Sequence, residues 1–190
     1  MPLVPVKNIE EELVRQISSG DQRAFECLFK MYYKRLCRFA FLIVRSKERS
    51  EEAVSDVFFN IWMKREQLAP ERNIRSFLYT SVHNRAINCL QRENPIRSQD
   101  DINVYELEVE SPEPAADDMI DRELFRERLQ QCFDQLPERC RMISRMYFSD
   151  ELQYREIAQI LQLSRKTVEA QIAIATKKIK EIFEKNRWNS

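Results

Sequence analysis

Residues Tyr154–Phe183 read YREIAQILQLSRKTVEAQIAIATKKIKEIF, an amphipathic pattern that is broken once, at LQLSRKT, and then resumes with basic residues on its exposed side. Ile157, Ala158, Ile160 and Leu161 supply the apolar stripe of a first helix. Gln162 and Leu163 make a turn, and Ser164 is placed to cap a second helix, whose stripe is Val168, Ile172, Ala175, Ile179 and Ile182 at three- and four-residue steps. The small side chain of Ala158 lets two helices cross closely, and Leu163 is expected to anchor the turn in the core. Two short helices set at an angle by such a turn form a helix-turn-helix.

A second helix that enters a major groove leads with its N-terminal residues. Arg165, Lys166, Glu169, Ala170 and Ala173 would then line the DNA side. Ser164 and the free amides of the first turn could hold a phosphate, while Lys177 and Lys178 are better placed for phosphate contacts that carry no sequence information. By pattern alone, an ordinary helical hairpin with a solvated basic face stays open beside this reading.

Composition narrows the choice. Gly20 is the only glycine in 190 residues. Phosphate-cradling loops, dinucleotide fingerprints and tight hairpin turns all need glycine, so a P-loop, a Rossmann site and a hairpin-rich β fold are disfavoured. Hydrophobic content of 43% with 33% charged residues describes a well-cored helical chain rather than a disordered one. Formal net charge is zero, so a nucleic-acid surface has to come from segregation of charge. Asp100 to Asp121 holds nine acids and no base, whereas Tyr154 to Arg187 holds eight Lys or Arg against four Glu.

The five cysteines, Cys27, Cys37, Cys89, Cys132 and Cys140, lack C-x-x-C spacing and read as reduced core residues of a cytoplasmic protein. The longest apolar run, Phe39 to Val44, is far short of the roughly 20 residues that span a bilayer, and MPLVPVKNIEEE shows no export signal. His83 is the only histidine and is expected at a solvated or edge position. No metal, cofactor or catalytic set is expected.

The rest of the chain reads as helices. Phe25, Leu28, Phe29, Tyr32, Tyr33, Leu36, Phe39, Ala40 and Ile43 recur at helical spacing after an N-cap at Asp21. A second helix is expected from a cap at Ser50, with Ala53, Val54, Val57, Phe58, Ile61 and Trp62 inward and Glu52, Asp56, Asn60 and Lys64 outward. Past a loop at Pro70, Asn73 would cap a third helix that buries Ile74, Phe77, Leu78, Val82, Ala86 and Leu90 and turns Arg75, Tyr79, His83, Asn84, Asn88 and Gln91 outward. The pattern fails from Asn94 to about Asp118, an acidic, proline-bearing linker. It resumes with Leu124, Leu129, Cys132, Phe133 and Leu136, and Pro137 fits the first position of a helix through Met142, Ile143, Met146 and Tyr147. The expected fold is all-α, with two small helical domains at 1–95 and 121–190 joined by the linker 96–120.

The segment Leu136 to Ile172, LPERCRMISRMYFSDELQYREIAQILQLSRKTVEAQI, is similar to region 4 of bacterial RNA polymerase sigma factors, and SEEAVSDVFFNIWMKR with IRSFLYTSVHNRAINCLQRE resembles region 2. Order and spacing resemble the extracytoplasmic-function type of the sigma-70 family, which keeps only these two domains. The resemblance implies a non-catalytic protein that binds core RNA polymerase, directs it to a promoter and helps to open the duplex. It implies polymerase docking through Glu52, Asp56, Asn60 and Lys64. It gives the −10 element to Arg75, Asn84, Arg85, Asn88 and Arg92, with the loop LAPERN holding an extruded base, and the −35 element to Ser164, Arg165, Lys166, Thr167, Glu169, Lys177 and Lys178. It also implies contact with double-stranded and melted promoter DNA and an anti-sigma factor as partner; for the acidic linker, threading of polymerase channels and a merely solvated tether both stay open. Two positions depart from the family pattern: Gln162 stands where the turn often has glycine, and Ile174 where a basic residue is common.

Two other classes of protein compete with this reading. A one-component helix-turn-helix regulator with a helical ligand-sensing N-terminal domain would bind promoter DNA without polymerase. A metal-dependent hydrolase would need a ligand pair such as H-E-x-x-H, which this sequence lacks.

Overall fold

The computed structural model describes residues 6–70, 73–93 and 132–187. The helices are α1 (Val6–Ser18), α2 (Gln22–Val44), α3 (Lys47–Met63), α4 (Ile74–Glu93), α5 (Glu138–Phe148), α6 (Tyr154–Ile160) and α7 (Arg165–Arg187). A single 3-10 turn, Arg65–Gln67, follows α3, and no strand occurs among the described residues. The chain divides into two compact units, one containing α1 to α4 and the other built on α5 and α7. The expected linker 96–120 and the expected helical positions Leu124 and Leu129 lie outside the described residues.

Helix α2 is the spine of the N-terminal unit. Asp21 caps it as expected, its carboxylate accepting from the amides of Arg23 at 2.7 Å and Ala24 at 3.2 Å. Ala24, Leu28, Tyr32, Leu36, Phe39, Ala40 and Ile43 fall on one stripe and are buried. Arg45 closes the helix in the left-handed region at φ 56°, and its amide donates to the Phe41 carbonyl.

Helix α3 starts four residues earlier than the sequence reading placed it. Ser46, not Ser50, is the cap, its hydroxyl accepting from the Arg49 amide at 3.4 Å. Ser50 lies inside the helix, buried, and returns its own hydroxyl to the Ser46 carbonyl at 2.6 Å. Both serines precede acidic residues, so the capping pattern fits either register, and the hydrogen bonds select the serine farther from the apolar run. Ala53, Val54, Val57, Phe58 and Ile61 are buried as expected, while Trp62 is half-buried with its ring 5.1 Å from Phe25. The Arg65 guanidinium lies 4.8 Å from the Trp62 ring centre.

Helix α4 is capped by Asn73, whose side-chain oxygen accepts from the Ser76 amide at 3.0 Å. Its buried stripe differs from the expected one. Ile74, Leu78, Val82 and Ala86 are inside as expected, but they are joined by Tyr79, His83 and Ile87, while Phe77 points outward and Leu90 is half-buried. Tyr79 and His83 were placed outside because their polar atoms suggest solvent. Both rings instead pack towards Phe39 of α2, at 5.1 Å and 6.4 Å between centres. Burial pulls the His83 pKa below its ordinary value, against a smaller opposing contribution from a hydrogen bond with Asn84.

Helix α1 was not anticipated at all. Val14 and Ile17 are buried, and so is Glu10. The Glu10 carboxylate accepts hydrogen bonds from the Tyr32 hydroxyl and, at 2.8 Å, from the Arg75 guanidinium. Arg75 also donates to the Tyr32 oxygen at 3.2 Å. This triad fastens α1 to α2 and α4 in one place. Burial, and then the hydrogen bond to Glu10, raise the Tyr32 pKa far above its ordinary value, so the phenol remains a donor.

In the C-terminal unit, Phe133, Leu136, Cys140 and Ala175 form a core cluster against which Ile179 packs. Pro137, expected as the first helical residue, is instead the cap residue of α5, which begins one place later at Glu138. Met142, Ile143 and Met146 are buried, and Arg145 donates to the Asp134 carboxylate at 3.1 Å, tying α5 to the end of the helical stretch before it.

Candidate functional site

The break between α6 and α7 is a closed helix-turn-helix joint. Gln162 adopts φ 53°, and the Leu163 amide donates to the Ala158 carbonyl at 2.8 Å, the six-residue closure that ends a helix through a left-handed residue. The position where the family often has glycine is therefore filled by glutamine in a glycine-like conformation. Leu163 is half-buried. Ser164 then caps α7, its hydroxyl accepting from the Thr167 amide at 3.0 Å and lying 2.8 Å from the Thr167 hydroxyl.

Helix α7 divides cleanly into two sides. Val168, Ile172 and Ala175 are buried, while Arg165, Lys166, Ala170, Ala173, Ile174, Lys177 and Lys178 are exposed. The Arg165 guanidinium donates to the Glu169 carboxylate at 2.7 Å, a pair one turn apart and open to water. An exposed i,i+4 pair of this kind holds the two side chains in register for only a fraction of a kcal/mol, about 0.3–0.5, so docking on another surface can redirect it.

On α4, Asn84, Asn88 and Arg92 follow one another at four-residue steps and are all exposed. Phe77, 40% exposed, lies on the same stripe seven residues before Asn84. Two arginines grouped with these by the sequence reading are engaged elsewhere. Arg75 turns inward to Glu10 and Tyr32, because a carboxylate buried by the unforeseen α1 requires a cation there. Arg85 reaches across to α3, where its guanidinium pairs with Asp56. The loop Leu68–Asn73 is described only at Leu68, Ala69, Pro70 and Asn73.

On α3, Glu52, Asn60 and Lys64 are exposed, and Asp56 is half-buried by its pairing with Arg85. The same face carries Phe59 at 63% and Met63 at 61% exposure. Spaced by four, they sit among Glu52, Asp56 and Asn60, so α3 presents an apolar centre with a polar rim. The sequence reading missed Phe59, Met63 and Phe77. Phe59 and Met63 fall out of phase with the Ala53, Val54, Val57, Phe58 and Ile61 stripe, and that mismatch was a usable signal.

No helix of the described residues is long and apolar enough to cross a membrane, and no three His, Cys, Asp or Glu side chains among them converge as metal ligands. The five cysteines are free thiols, of which Cys132 and Cys140 are buried.

A two-unit helical chain with an exposed apolar patch on one helix, a polar stripe on another and a basic helix-turn-helix has the parts of a promoter-recognition factor. Sequence comparison agrees: Sigma-70 region 2 matches residues 28–95 and Sigma-70, region 4 matches residues 126–179. The chain belongs to the sigma-70 family, and within it to the extracytoplasmic-function type. Among its relatives, the ECF RNA polymerase sigma factor SigK of Mycolicibacterium vanbaalenii is 24% identical, the match covering 90% of this chain and 87% of that one. The ECF RNA polymerase sigma factor SigW of Bacillus subtilis is 21% identical over 84% of this chain and 88% of its own. The fold is similar to that of CnrH, solved in complex with the cytosolic domain of CnrY, at a TM-score of 0.53 and 21% identity, covering 93% of this chain and 97% of that chain. It is also similar to the sigma factor RpoE of Bartonella quintana, solved with the anti-sigma factor NepR, at a TM-score of 0.56 and 16% identity, covering 84% and 96%.

Proposed function

We propose that this protein binds core RNA polymerase through α3, reads and holds the melted −10 element with α4, and reads the −35 element with α7. The observation that supports it best is the presence of three separately exposed helical faces, each chemically suited to one of these contacts. Phe59 and Met63 give α3 the apolar centre that concentrates binding energy in a protein interface, with Glu52, Asp56, Asn60 and Lys64 around it. Asn84 and Asn88 offer amide donors and acceptors to base edges, Arg92 offers charge to the backbone, and the Phe77 ring offers a face on which an unpaired base can stack. Arg75 belongs to the folding of the unit and not to the −10 contact set.

On α7, Arg165, Lys166 and Glu169 approach base edges while Lys177 and Lys178 neutralise phosphates. Ser164 and Thr167 bond to each other at the start of the helix, where a phosphate would meet free amides. The residues that meet polymerase and DNA are also those an anti-sigma factor would cover, so such a protein is the partner expected to hold this one inactive. The protein contributes binding, not bond-making chemistry, and works in the cytoplasm alongside polymerase.

The test is co-migration of the purified protein with bacterial core polymerase, followed by run-off transcription from genomic fragments. Discrete new transcripts support the reading. Tight binding of duplex DNA by the protein alone, with no binding to polymerase, would replace it with the one-component regulator.

A further inference from the structure

We propose that Ile174 is a specificity residue that reads the methyl group of a thymine in the upstream promoter element; this rests on the reading of α7 as the −35 helix. Ile174 is 53% exposed, although a single exposed apolar residue means little by itself. Its company gives it meaning. Ala170 lies one turn before it and Ala173 beside it, both exposed, and Val168, Ile172 and Ala175 are buried on the other side of the helix. At roughly 100° per residue, Ala170 points away from the buried stripe and Ile174 lies about 40° round the helix from Ala170. The outward face that begins with Lys166 and Glu169 therefore continues as an apolar strip, Ala170, Ala173 and Ile174, before the cations Lys177 and Lys178.

The chemistry of that strip limits what it can recognise. An isoleucine cannot bond to a phosphate or to a base edge, and the one apolar group that a base pair shows in the major groove is the thymine C5-methyl. Ala170 and Ala173 are short enough to let the helix approach the floor of the groove, and Ile174 is long enough to fill the space one turn further on. With about 1.5 Å of rise per residue, Ile174 stands roughly 14 Å along α7 from Arg165. Those nine residues also carry Ile174 about 180° round the helix from Arg165, so the two side chains reach the duplex at different base pairs.

The experiment uses holoenzyme assembled from core polymerase and the full chain, on a promoter recovered by run-off selection. Each thymine of the upstream element is replaced in turn by uracil, which keeps every hydrogen-bonding atom and lacks only the methyl. The expected result is one thymine at which uracil weakens wild-type binding about fourfold, the worth of one buried methyl. Ile174→Ala holoenzyme should show no preference between the two bases there, and Ile174→Val should keep part of it. A wild-type holoenzyme indifferent to uracil at every position overturns the proposal, as does a preference that survives in Ile174→Ala. Failure of the underlying reading looks different: either no promoter is recovered, or Arg165→Ala with Lys166→Ala leaves selectivity unchanged, and the proposal falls with it.

Discussion

Asp56 on α3 and Arg85 on α4 are ion-paired, although one stands on the helix face assigned to polymerase and the other beside the stripe assigned to promoter DNA. Both side chains remain about a third exposed, so the pair is screened and is worth no more than about 1 kcal/mol. Its loss should not unfold the unit. Asp56→Ala is expected to weaken binding to core polymerase by about tenfold in a competition assay, a loss of about 1.4 kcal/mol, with a melting temperature lowered by only a few degrees. Arg85→Ala leaves the Asp56 carboxylate free and should keep wild-type affinity for polymerase. Equal loss of affinity in both variants would mean that Asp56 only braces α3 against α4.

The triad of Glu10, Tyr32 and Arg75 lies at the other extreme of burial. The two charged side chains are 7% and 13% exposed, and removing one partner leaves the other buried without its counter-charge. Glu10→Ala should destabilise the N-terminal unit by about 3–5 kcal/mol, read as a shift in denaturant midpoint. Glu10→Leu and Arg75→Met combined with Tyr32→Phe should recover most of that loss, since an apolar cluster of similar volume leaves no buried polar atom without a partner. A single variant as stable as wild type would show that α1 does not hold the unit together.

How much of this could be read from the sequence depended on whether a residue's partners lay on its own helix. Leu28, Tyr32, Leu36 and Phe39 declare their face through spacing alone, and Asp21, Asn73 and Ser164 declare helix starts through local chemistry. Arg75 and Arg85 are set by residues 65 and 29 positions away, so nothing in their own segment distinguishes them from free cations. His83 and Tyr79 were misplaced for the related reason that a polar atom on a ring does not outweigh the area the ring buries against Phe39. The sequence reading also lost α1, where a glutamate occupies a core position that apolar periodicity cannot register.

Gln162 holds a left-handed conformation at φ 53° in which a side chain is unfavourable and glycine is not. Gln162→Gly should therefore stabilise the C-terminal unit by up to about 1 kcal/mol, seen as a rise in its melting temperature. The turn keeps its backbone, so −35 binding should not change. A fall in stability would indicate that the glutamine side chain contributes more than its backbone strain costs.

His83 makes the N-terminal unit sensitive to acid. In the unfolded chain its imidazole takes up a proton near pH 6.5, whereas in the folded unit burial moves that event to lower pH. Between the two values the unfolded state holds more protons, so stability is full above about pH 6.5 and declines as the pH falls. His83→Gln should flatten the dependence of the unfolding midpoint on pH below about 6.5. An unchanged slope would assign the acid sensitivity to carboxylates instead.

The cations of α7 should separate by their response to salt. Lys177 and Lys178 follow the exposed strip of Ala170, Ala173 and Ile174 and are themselves exposed, whereas Arg165 is held by Glu169 near the start of the helix. A phosphate contact releases condensed counterions, and each one adds about 0.9 to the slope of log affinity against log salt. Lys177→Ala should therefore weaken holoenzyme binding to every promoter alike and lower that slope by about one. Arg165→Ala should change the slope less and the ranking of promoters more, because a guanidinium at a base edge discriminates by about 1–3 kcal/mol per pair. Filter binding of both variants on two promoters that differ in the upstream element, at several salt concentrations, measures slope and ranking together. If Lys177→Ala reorders the promoters while Arg165→Ala only lowers the slope, α7 lies in the groove in the opposite sense, with its C-terminal half towards the bases.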